Sequence, residues 1–172
     1  ITLYEEREKP YVLYTEPGDG AEGVPVRQYV DVLVVFSTRM KPETIKKAVQ
    51  VLPEVAHTVY TVGEIPRAES DRAVIRLFKT RKPELQLAQE YRFRIEGSVR
   101  DVFDVAMEEP YEFSLRTSGP MIINTIPKDG EEGVFFTIGD YIVLDFNTEV
   151  DYKTLMRNVD ISPRPVSGPM LF

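Results

Sequence analysis

Residues 17–24 read Pro-Gly-Asp-Gly-Ala-Glu-Gly-Val, and residues 127–134 read Pro-Lys-Asp-Gly-Glu-Glu-Gly-Val. The two octets lie 110 residues apart (127 − 17 = 110), and this offset continues without a gap from residues 17–53 to residues 127–163. Of these 37 aligned positions (53 − 17 + 1 = 37), 11 are identical. A gapless register of this length indicates an internal repeat.

The repeat divides the 172-residue chain into one complete unit and part of another. We predict a complete domain at residues 10–118 and the first half of a second domain at residues 119–172. Residues 1–9 then form either the closing strand of a preceding domain or a tail. Because the chain begins with Ile rather than Met, we expect a fragment of a longer protein.

Half of a second domain would leave one apolar strand face, formed by Ile142, Leu144 and Phe146, without a facing sheet. Exposing such a face to water is costly. We therefore expect either further chain beyond Phe172 or another molecule to cover it.

Composition excludes several classes of protein. The chain is 42% hydrophobic and 28% charged, which is typical of a folded domain rather than a disordered segment. A net charge of −7 and a pI near 4.9 argue against a nucleic-acid binder or a polybasic membrane-surface segment. The sequence has no Cys, which excludes disulfides, thiol nucleophiles and thiolate metal sites. No apolar run approaches the roughly 18 residues of a membrane span.

Alternating apolar and polar side chains predict a series of short strands. The clearest is Tyr29–Ser37, whose even-numbered side chains form an apolar face, while Leu33 and Val35 make its other face partly apolar. Ile142–Asn147 alternates more cleanly, which is typical of a sheet with one buried face. The other predicted strands are Ile1–Glu5, Tyr11–Tyr14, Val49–Leu52, Val55–Val62, Arg72–Lys79, Glu90–Glu96 and Tyr111–Thr117.

Short helical turns are predicted at two places between these strands. Lys41–Lys47 has Pro near its start and good helix formers after it. Lys82–Glu90 is predicted to cross between sheets with one helical turn. Polar loops are predicted at residues 63–71 and 97–110.

Seven or eight short strands in 110 residues predict an all-β fold, an immunoglobulin-like Greek-key β-sandwich repeated in tandem. A single closed barrel is the alternative. The Cys–Trp–Cys core of antibody domains is absent, so we expect other aromatic residues to fill the interior. The candidates are Phe36, Phe78, Tyr91, Phe93 and Phe113.

Several motifs follow the octet in a fixed order. The first unit contains Val34-Val-Phe-Ser-Thr-Arg-Met40, then Tyr91-Arg-Phe-Arg-Ile95 with Asp101, and finally Phe113-Ser-Leu-Arg-Thr117. The opening part recurs as Leu144-Asp-Phe-Asn-Thr-Glu-Val150. This order resembles the bacterial Ig-like domain of the S-layer protein type, and the resemblance covers nearly all of the chain.

The resemblance implies a structural or interaction module rather than an enzyme. Domains of this type are spacers in bacterial envelope and S-layer proteins, and comparable units occur in bacterial alpha-2-macroglobulin-like proteins. The pair Phe146–Asn147 favours the alpha-2-macroglobulin-like proteins slightly. However, the sequence has no thioester motif Cys-Gly-Glu-Gln. Arg39 stands where the family commonly has Pro, and Val102–Phe103 stands where it often has Gly-Asn.

The resemblance therefore predicts a spacer or docking unit of an exported bacterial protein, outside the cell or in its envelope. The alternative is a scaffold in a macroglobulin-like protease inhibitor. The expected partners are neighbouring Ig-like domains of the same chain, and another protein or a cell-wall glycan. Neither nucleic-acid binding nor membrane insertion is expected.

Few residues are candidates for catalysis or metal binding. His57 is the sole histidine and has no nucleophile context, so we predict no catalytic residue and no cofactor, and we expect this side chain to face solvent or a domain seam. Acidic loops supply oxygen ligands of the kind that Ca²⁺ prefers, which leaves calcium binding as a hypothesis on ligand type alone. The calcium candidates are Asp19, Glu22, Asp101, Asp104, Asp129 and Glu132.

The octet is not predicted to be a phosphate loop, because no Lys-Ser/Thr follows it and no helix begins there. Its glycines are expected to adopt positive φ in the turn between the first two strands, with Asp19 and Asp129 capping the turns. Five tyrosines suggest a carbohydrate platform, although tyrosine in a strand more often packs at a sheet edge. They are Tyr4, Tyr11, Tyr14, Tyr29 and Tyr60.

Overall fold

The computed structural model describes residues 7–63, 69–135, 137 and 141–162. The chain consists of two compact units, Ile1–Gly119 and Pro120–Phe172. The predicted strand Ile1–Glu5 lies outside the described residues.

The described part of the first unit contains eight strands and one short helix. In chain order they are β1 Val12–Glu16, β2 Ala21–Val24, β3 Tyr29–Met40, α1 Pro42–Ala48, β4 Val49–Leu52, β5 His57–Thr61, β6 Ser70–Phe78, β7 Glu90–Ile95 and β8 Tyr111–Thr117. They form a first sheet in the order β1-β3-β6-β5 and a second in the order β2-β8-β7-β4. The predicted immunoglobulin-like sandwich is confirmed and the barrel is wrong. Helix α1 confirms the first predicted helical segment.

Strand β3 organises the first sheet because both of its edges are paired. It pairs antiparallel with β1 on one side and with β6 on the other, and β5 continues the sheet beyond β6. Val32, Val34 and Phe36 point inward and are buried, as the alternation predicts. Each such side chain stabilises the fold by about 1.5–3 kcal/mol relative to an exposed position.

The second sheet supplies most of the aromatic core. Tyr91 and Phe93 of β7 are buried, and Phe93 stacks on Phe113 of β8 with ring centroids 4.5 Å apart and planes 7° from parallel. Together with Phe36, these residues confirm four of the five predicted core aromatics.

Phe78 was predicted in the core, and this is wrong. Ile75 and Leu77 occupy the inward positions of β6, so the next side chain points to the outer face. There Phe78 is half-buried, and the guanidinium of Arg81 lies 3.8 Å from its ring centroid.

The predicted helical turn at Lys82–Glu90 is also wrong, because these residues form an irregular crossing between the sheets. Several hydrogen bonds hold it to the second sheet. The amide of Gln86 donates to Oη of the buried Tyr91 at 2.8 Å, and the amide of Gln89 donates to Oγ1 of Thr117 at 3.0 Å.

The first octet carries the chain from the first sheet to the second. Gly20 and Gly23 have φ of +74° and +66°, as predicted for glycine. The second half of the octet is β2 itself, which pairs parallel with β8. Asp19 does not cap its own turn. Its Oδ1 instead accepts a hydrogen bond from the amide of Ser114 on β8 at 2.8 Å.

The described part of the second unit contains two strands and one helix, β9 Ile122–Ile126, β10 Val143–Phe146 and α2 Tyr152–Asn158. Strands β9 and β10 form an antiparallel two-stranded sheet. Among the described residues of this unit, Asn147 alone is buried. The side chains described here therefore enclose no apolar core.

The second unit repeats the backbone pairing of the first at the offset of 110. Thr15 pairs with Val34 between β1 and β3, and Thr125 pairs with Leu144 between β9 and β10. A register irregularity follows at the equivalent place in both sheets. Helix α2 begins and ends 110 residues after α1.

Candidate interaction surface

The calcium candidates of the loop after β7 have structural partners. Asp101 is 3% exposed, and its Oδ1 accepts hydrogen bonds from the amides of Phe103 at 2.9 Å and Val105 at 2.8 Å. This carboxylate therefore closes the loop upon itself.

Asp104, in the same loop, is held by a lysine. Its Oδ1 lies 2.6 Å from Nζ of Lys41, and this hydrogen bond and charge lower the pKa of the Asp104 carboxyl below its ordinary value. Glu108 forms a similar ion pair with Lys9. The loop's exposed acids are thus partly neutralised by lysines from elsewhere in the unit.

The remaining calcium candidates lie in the two octets. Glu22 lies 3.9 Å from Nε of Arg116, and Asp129 and Glu132 are exposed. Among the residues that the structure describes, no three metal-ligating side chains come together. Calcium binding stays a prediction.

His57 lies exposed at the start of β5. Its Nδ1 is 2.9 Å from the carbonyl oxygen of Val55, so the ring is oriented by the backbone.

A different feature distinguishes the first unit, the outer face of its first sheet, which we call the tyrosine face. It consists of Tyr14, Tyr29, Asp31, Leu33, Val35, Tyr60, Val74 and Arg76. These residues come from all four strands of the sheet, whose register places them in neighbouring rows.

Arg76 is at the centre of the polar end of the tyrosine face. Its Nε and Nη2 each donate to one oxygen of Asp31 at 2.6 Å, a bidentate pairing that raises the pKa of the guanidinium. The guanidinium carbon lies 4.0 Å from the ring centroid of Tyr29 and 5.6 Å from that of Tyr60. Burial, and secondarily the nearby Asp31 carboxylate, raise the pKa of Tyr60.

The other end of the tyrosine face is apolar. Leu33 pairs across the strands with Val74, and Val35 pairs with Tyr14. Tyr14 is 50% exposed and Tyr29 is 44% exposed, so their rings remain open to a partner. A solvated sheet face normally carries polar side chains, so this surface is unusual.

The equivalent positions in the second unit carry polar side chains. Asn124 and Asp145 occupy the positions equivalent to Tyr14 and Val35, and Nδ2 of Asn124 donates to Oδ2 of Asp145 at 2.8 Å. The same pair of positions is therefore apolar in one unit and polar in the other.

The outer face of the second sheet is polar and ordinary by comparison. Arg94 bonds with Glu96 at 2.8 Å and also pairs with Glu112, and these contacts raise the pKa of its guanidinium. Exposed ion pairs of this kind contribute little to stability and are typical of a solvated surface.

Part of the tyrosine face was visible in the sequence. The apolar Leu33 and Val35 on the second face of a strand indicated it, and all three of its tyrosines are among the five named in the sequence. Arg76 was missed, because pairing with Asp31 depends on the register between β3 and β6, which a single sequence does not display.

These features together define a β-sandwich with an apolar and aromatic outer sheet face and no assembled catalytic group among its described residues. The sequence matches the family described as "Bacterial Ig-like domain" over residues 6–117. The chain belongs to this family. A comparison with curated proteins finds no match. Neither α1 nor α2, the helices of the described residues, is long and apolar enough to cross a membrane.

Proposed function

We propose that the chain is a non-catalytic spacer and docking module of an exported bacterial cell-envelope protein. The tyrosine face carries this proposal, because the fold does not require an apolar surface there. Aromatic side chains and arginine are enriched at the centres of protein–protein interfaces. The bidentate Asp31–Arg76 pair would fix the orientation of a partner.

The partner is a protein rather than a cell-wall glycan. Sugars stack on open aromatic faces, whereas Arg76 already lies over one face of Tyr29. The aliphatic residues Leu33 and Val74 suit another protein surface, such as a neighbouring Ig-like domain of the same chain.

We also propose that residues 119–172 form the first half of a second Ig-like domain. The strand pairing and the position of α2, both repeated at the offset of 110, support this assignment.

The alternative parent is a macroglobulin-like inhibitor, which the pair Phe146–Asn147 favoured. Oδ1 of Asn147 accepts a hydrogen bond from the amide of Met121 at 2.9 Å. In the first unit, Oγ of Ser37 accepts the equivalent bond from the amide of Tyr11 at 3.0 Å. Because serine serves the same purpose, the asparagine reflects a structural need and does not identify the parent.

A pair of double variants in the full-length parent protein tests the docking function. Tyr14→Ser with Leu33→Thr removes apolar surface from the tyrosine face, and Leu52→Thr with Arg92→Ser is the matched control on the second sheet. We expect the first variant to bind the isolated cell envelope at least 10-fold more weakly, which corresponds to about 1.4 kcal/mol, and the control to bind as before. If both variants bind as the wild type does, the docking function is wrong and the module is a passive spacer. If the parent protein is found in the cytoplasm, the proposed export is wrong.

A further inference from the structure

Two arginine–aromatic pairs lie side by side at one end of the tyrosine face. Tyr29 of β3 and Phe78 of β6 are cross-strand partners on the outer side of the first sheet. The guanidinium of Arg76 lies 4.0 Å from the ring centroid of Tyr29. The guanidinium of Arg81 lies 3.8 Å from the ring centroid of Phe78. The same cation–π contact therefore occurs twice, once on each ring.

The two guanidinium groups differ in whether a carboxylate meets their charge. Arg76 forms a bidentate pair with Asp31. Arg81 is exposed and forms no ion pair with any residue that the structure describes. Because a planar guanidinium stacks through its face, its edge keeps the donors that bind a carboxylate. Arg81 is therefore placed to accept an acid from outside the chain.

The surroundings of Arg81 are basic, although the whole chain has a net charge of −7. Residues 25–28 and 79–84 meet at this end of the sheet, where the amide of Lys79 donates to the carbonyl oxygen of Gln28 at 3.1 Å. These two segments contain four cations and one acid, namely Arg27, Lys79, Arg81, Lys82 and Glu84. A second acid, Glu54, lies in the adjoining segment before β5. Cations still outnumber acids here, which favours an acidic partner.

The rest of the tyrosine face favours an acidic protein over an anionic polymer. A phosphate polymer is bound by cations that follow its backbone, whereas Arg76 is already neutralised by Asp31. Leu33 and Val74, which pair across the strands, add an aliphatic centre. A protein segment with apolar side chains and a carboxylate matches both parts of this surface.

We propose that the tyrosine face binds an acidic segment of another protein, and that a carboxylate of this segment pairs with Arg81. The new pair would repeat the arrangement that Arg76 and Asp31 already form. Docking removes water from the guanidinium of Arg81, and a charge that is covered without a carboxylate would weaken the complex. The inference rests on the docking function proposed above and adds the chemistry of the partner.

The test measures binding of the full-length parent protein to isolated cell envelope. Arg81→Glu reverses the charge beside Phe78, and we expect it to bind roughly 10-fold more weakly. Arg81→Lys retains the charge but lacks the planar fork, so its loss should be intermediate. The matched control is Lys46→Glu, which makes the same change of charge on α1, outside the tyrosine face, and should bind as the wild type does. Urea denaturation should show an unchanged free energy of unfolding in each variant, since both positions are exposed.

Treatment of the envelope tests the chemistry of the partner. Amidation of its carboxylates with a carbodiimide and glycinamide should lower wild-type binding to the level of Arg81→Glu. Digestion of the envelope with proteinase K should remove binding. Hydrofluoric acid, which cleaves phosphodiester polymers, should leave binding in place.

The proposal is overturned if Arg81→Glu binds as the wild type does while Tyr14→Ser with Leu33→Thr binds weakly, and the docking function would then stand without it. It is also overturned if Lys46→Glu weakens binding as much as Arg81→Glu, because general charge repulsion would explain both losses. Binding that survives proteinase K and is lost in hydrofluoric acid would show an anionic polymer instead of a protein. If neither the double variant nor Arg81→Glu changes binding, the docking function fails as well.

Discussion

Two buried threonines of the sandwich differ in whether their hydroxyls are paired. Oγ1 of Thr15 is buried without a hydrogen-bond partner among the described residues, whereas Oγ1 of Thr117 accepts from Gln89 and donates to Gln86. Replacing an unpaired hydroxyl by a methyl removes a desolvation cost. We expect Thr15→Val to keep or raise the free energy of unfolding and Thr117→Val to lower it by about 1–3 kcal/mol. Urea denaturation measures both, and equal losses would contradict the assignment.

Asp101 permits a comparison of charge with hydrogen bonding. Both of its loop contacts end on Oδ1, an atom that asparagine also has. We expect Asp101→Ala to lower the free energy of unfolding by about 1–3 kcal/mol, because two part-buried amides lose their acceptor. Asp101→Asn should retain most of the wild-type free energy of unfolding. Chemical denaturation distinguishes the two, and an Asn variant as unstable as the Ala variant would show that the charge matters instead.

The same variants test the calcium hypothesis. If Asp101 helps to bind calcium, the wild-type chain melts at a higher temperature with calcium than with a chelator, and Asp101→Asn loses that difference. A wild-type melting temperature that does not respond to calcium would end the hypothesis.

Gly97 is required by close backbone contact. A Cβ at this position would overlap the backbone of Glu108, whereas a Cβ at Gly119 would meet nothing within 4 Å. We expect Gly97→Ala to lower the free energy of unfolding by about 1–3 kcal/mol and Gly119→Ala to change it by less than about 0.5 kcal/mol. Thermal melts of the two variants provide the measurement. A stable Gly97→Ala protein would mean that the loop moves aside without cost.

At the scale of the element, α2 is stabilised by its N-cap in a pH-dependent way. Asp151 accepts a hydrogen bond from the amide of Thr154 at 2.7 Å. Hydrogen bonding to the side chain of Thr154, and secondarily to its amide, lowers the pKa of Asp151. The unfolded carboxyl titrates near pH ~3.9, so the stabilisation is fully present above that pH. It is lost as the pH falls through the lower pKa of the folded state.

We therefore expect the protection factor of the Thr154 amide, the exchange rate of an unstructured peptide divided by its own rate at the same pH, to fall as the solution is acidified below about pH 4. Asp151→Asn keeps an acceptor without a titrating charge, so its exchange should not show this additional acid-induced step. NMR-detected exchange of the Thr154 amide measures the effect. Identical pH profiles in the two proteins would contradict a titrating cap.

β2 was not predicted from the sequence and residues 82–90 were predicted wrongly, and both errors have physical causes. β2 is four residues long, contains a glycine and lacks alternating apolar residues, so no local pattern marks it. Its hydrogen bonds are to β8, a strand distant in the sequence. The crossing at residues 82–90 contains helix-forming residues, but bonds to Tyr91 and Thr117 outweigh that local preference. Strands with strong alternation, such as β7 and β8, were predicted to within one residue, whereas β3 extends to Met40 beyond its predicted end at Ser37.

At the scale of the whole molecule, the sequence predicted the sandwich because strand spacing and turn residues repeat along the chain. The tyrosine face was harder to predict, since its rows combine residues from four strands and depend on register.

The two units differ in how much apolar surface they enclose, and this predicts the effect of removing the second. The first unit has a continuous buried core, whereas the described part of the second buries no apolar side chain. Ile142, Phe135 and Tyr141 are largely exposed instead. A surface of this kind binds hydrophobic dyes and adds little to a cooperative transition.

We therefore expect a chain truncated to residues 1–119 to keep its free energy of unfolding within about 0.5 kcal/mol, with the same urea dependence in its main transition. Binding of the dye ANS by the native protein should fall sharply in the truncated chain. The control is Phe135→Ser in the full chain, which removes one exposed ring and should reduce dye binding without changing the transition. If truncation instead lowers the stability of the first unit, residues 120–172 contribute to its core and the two units are not independent.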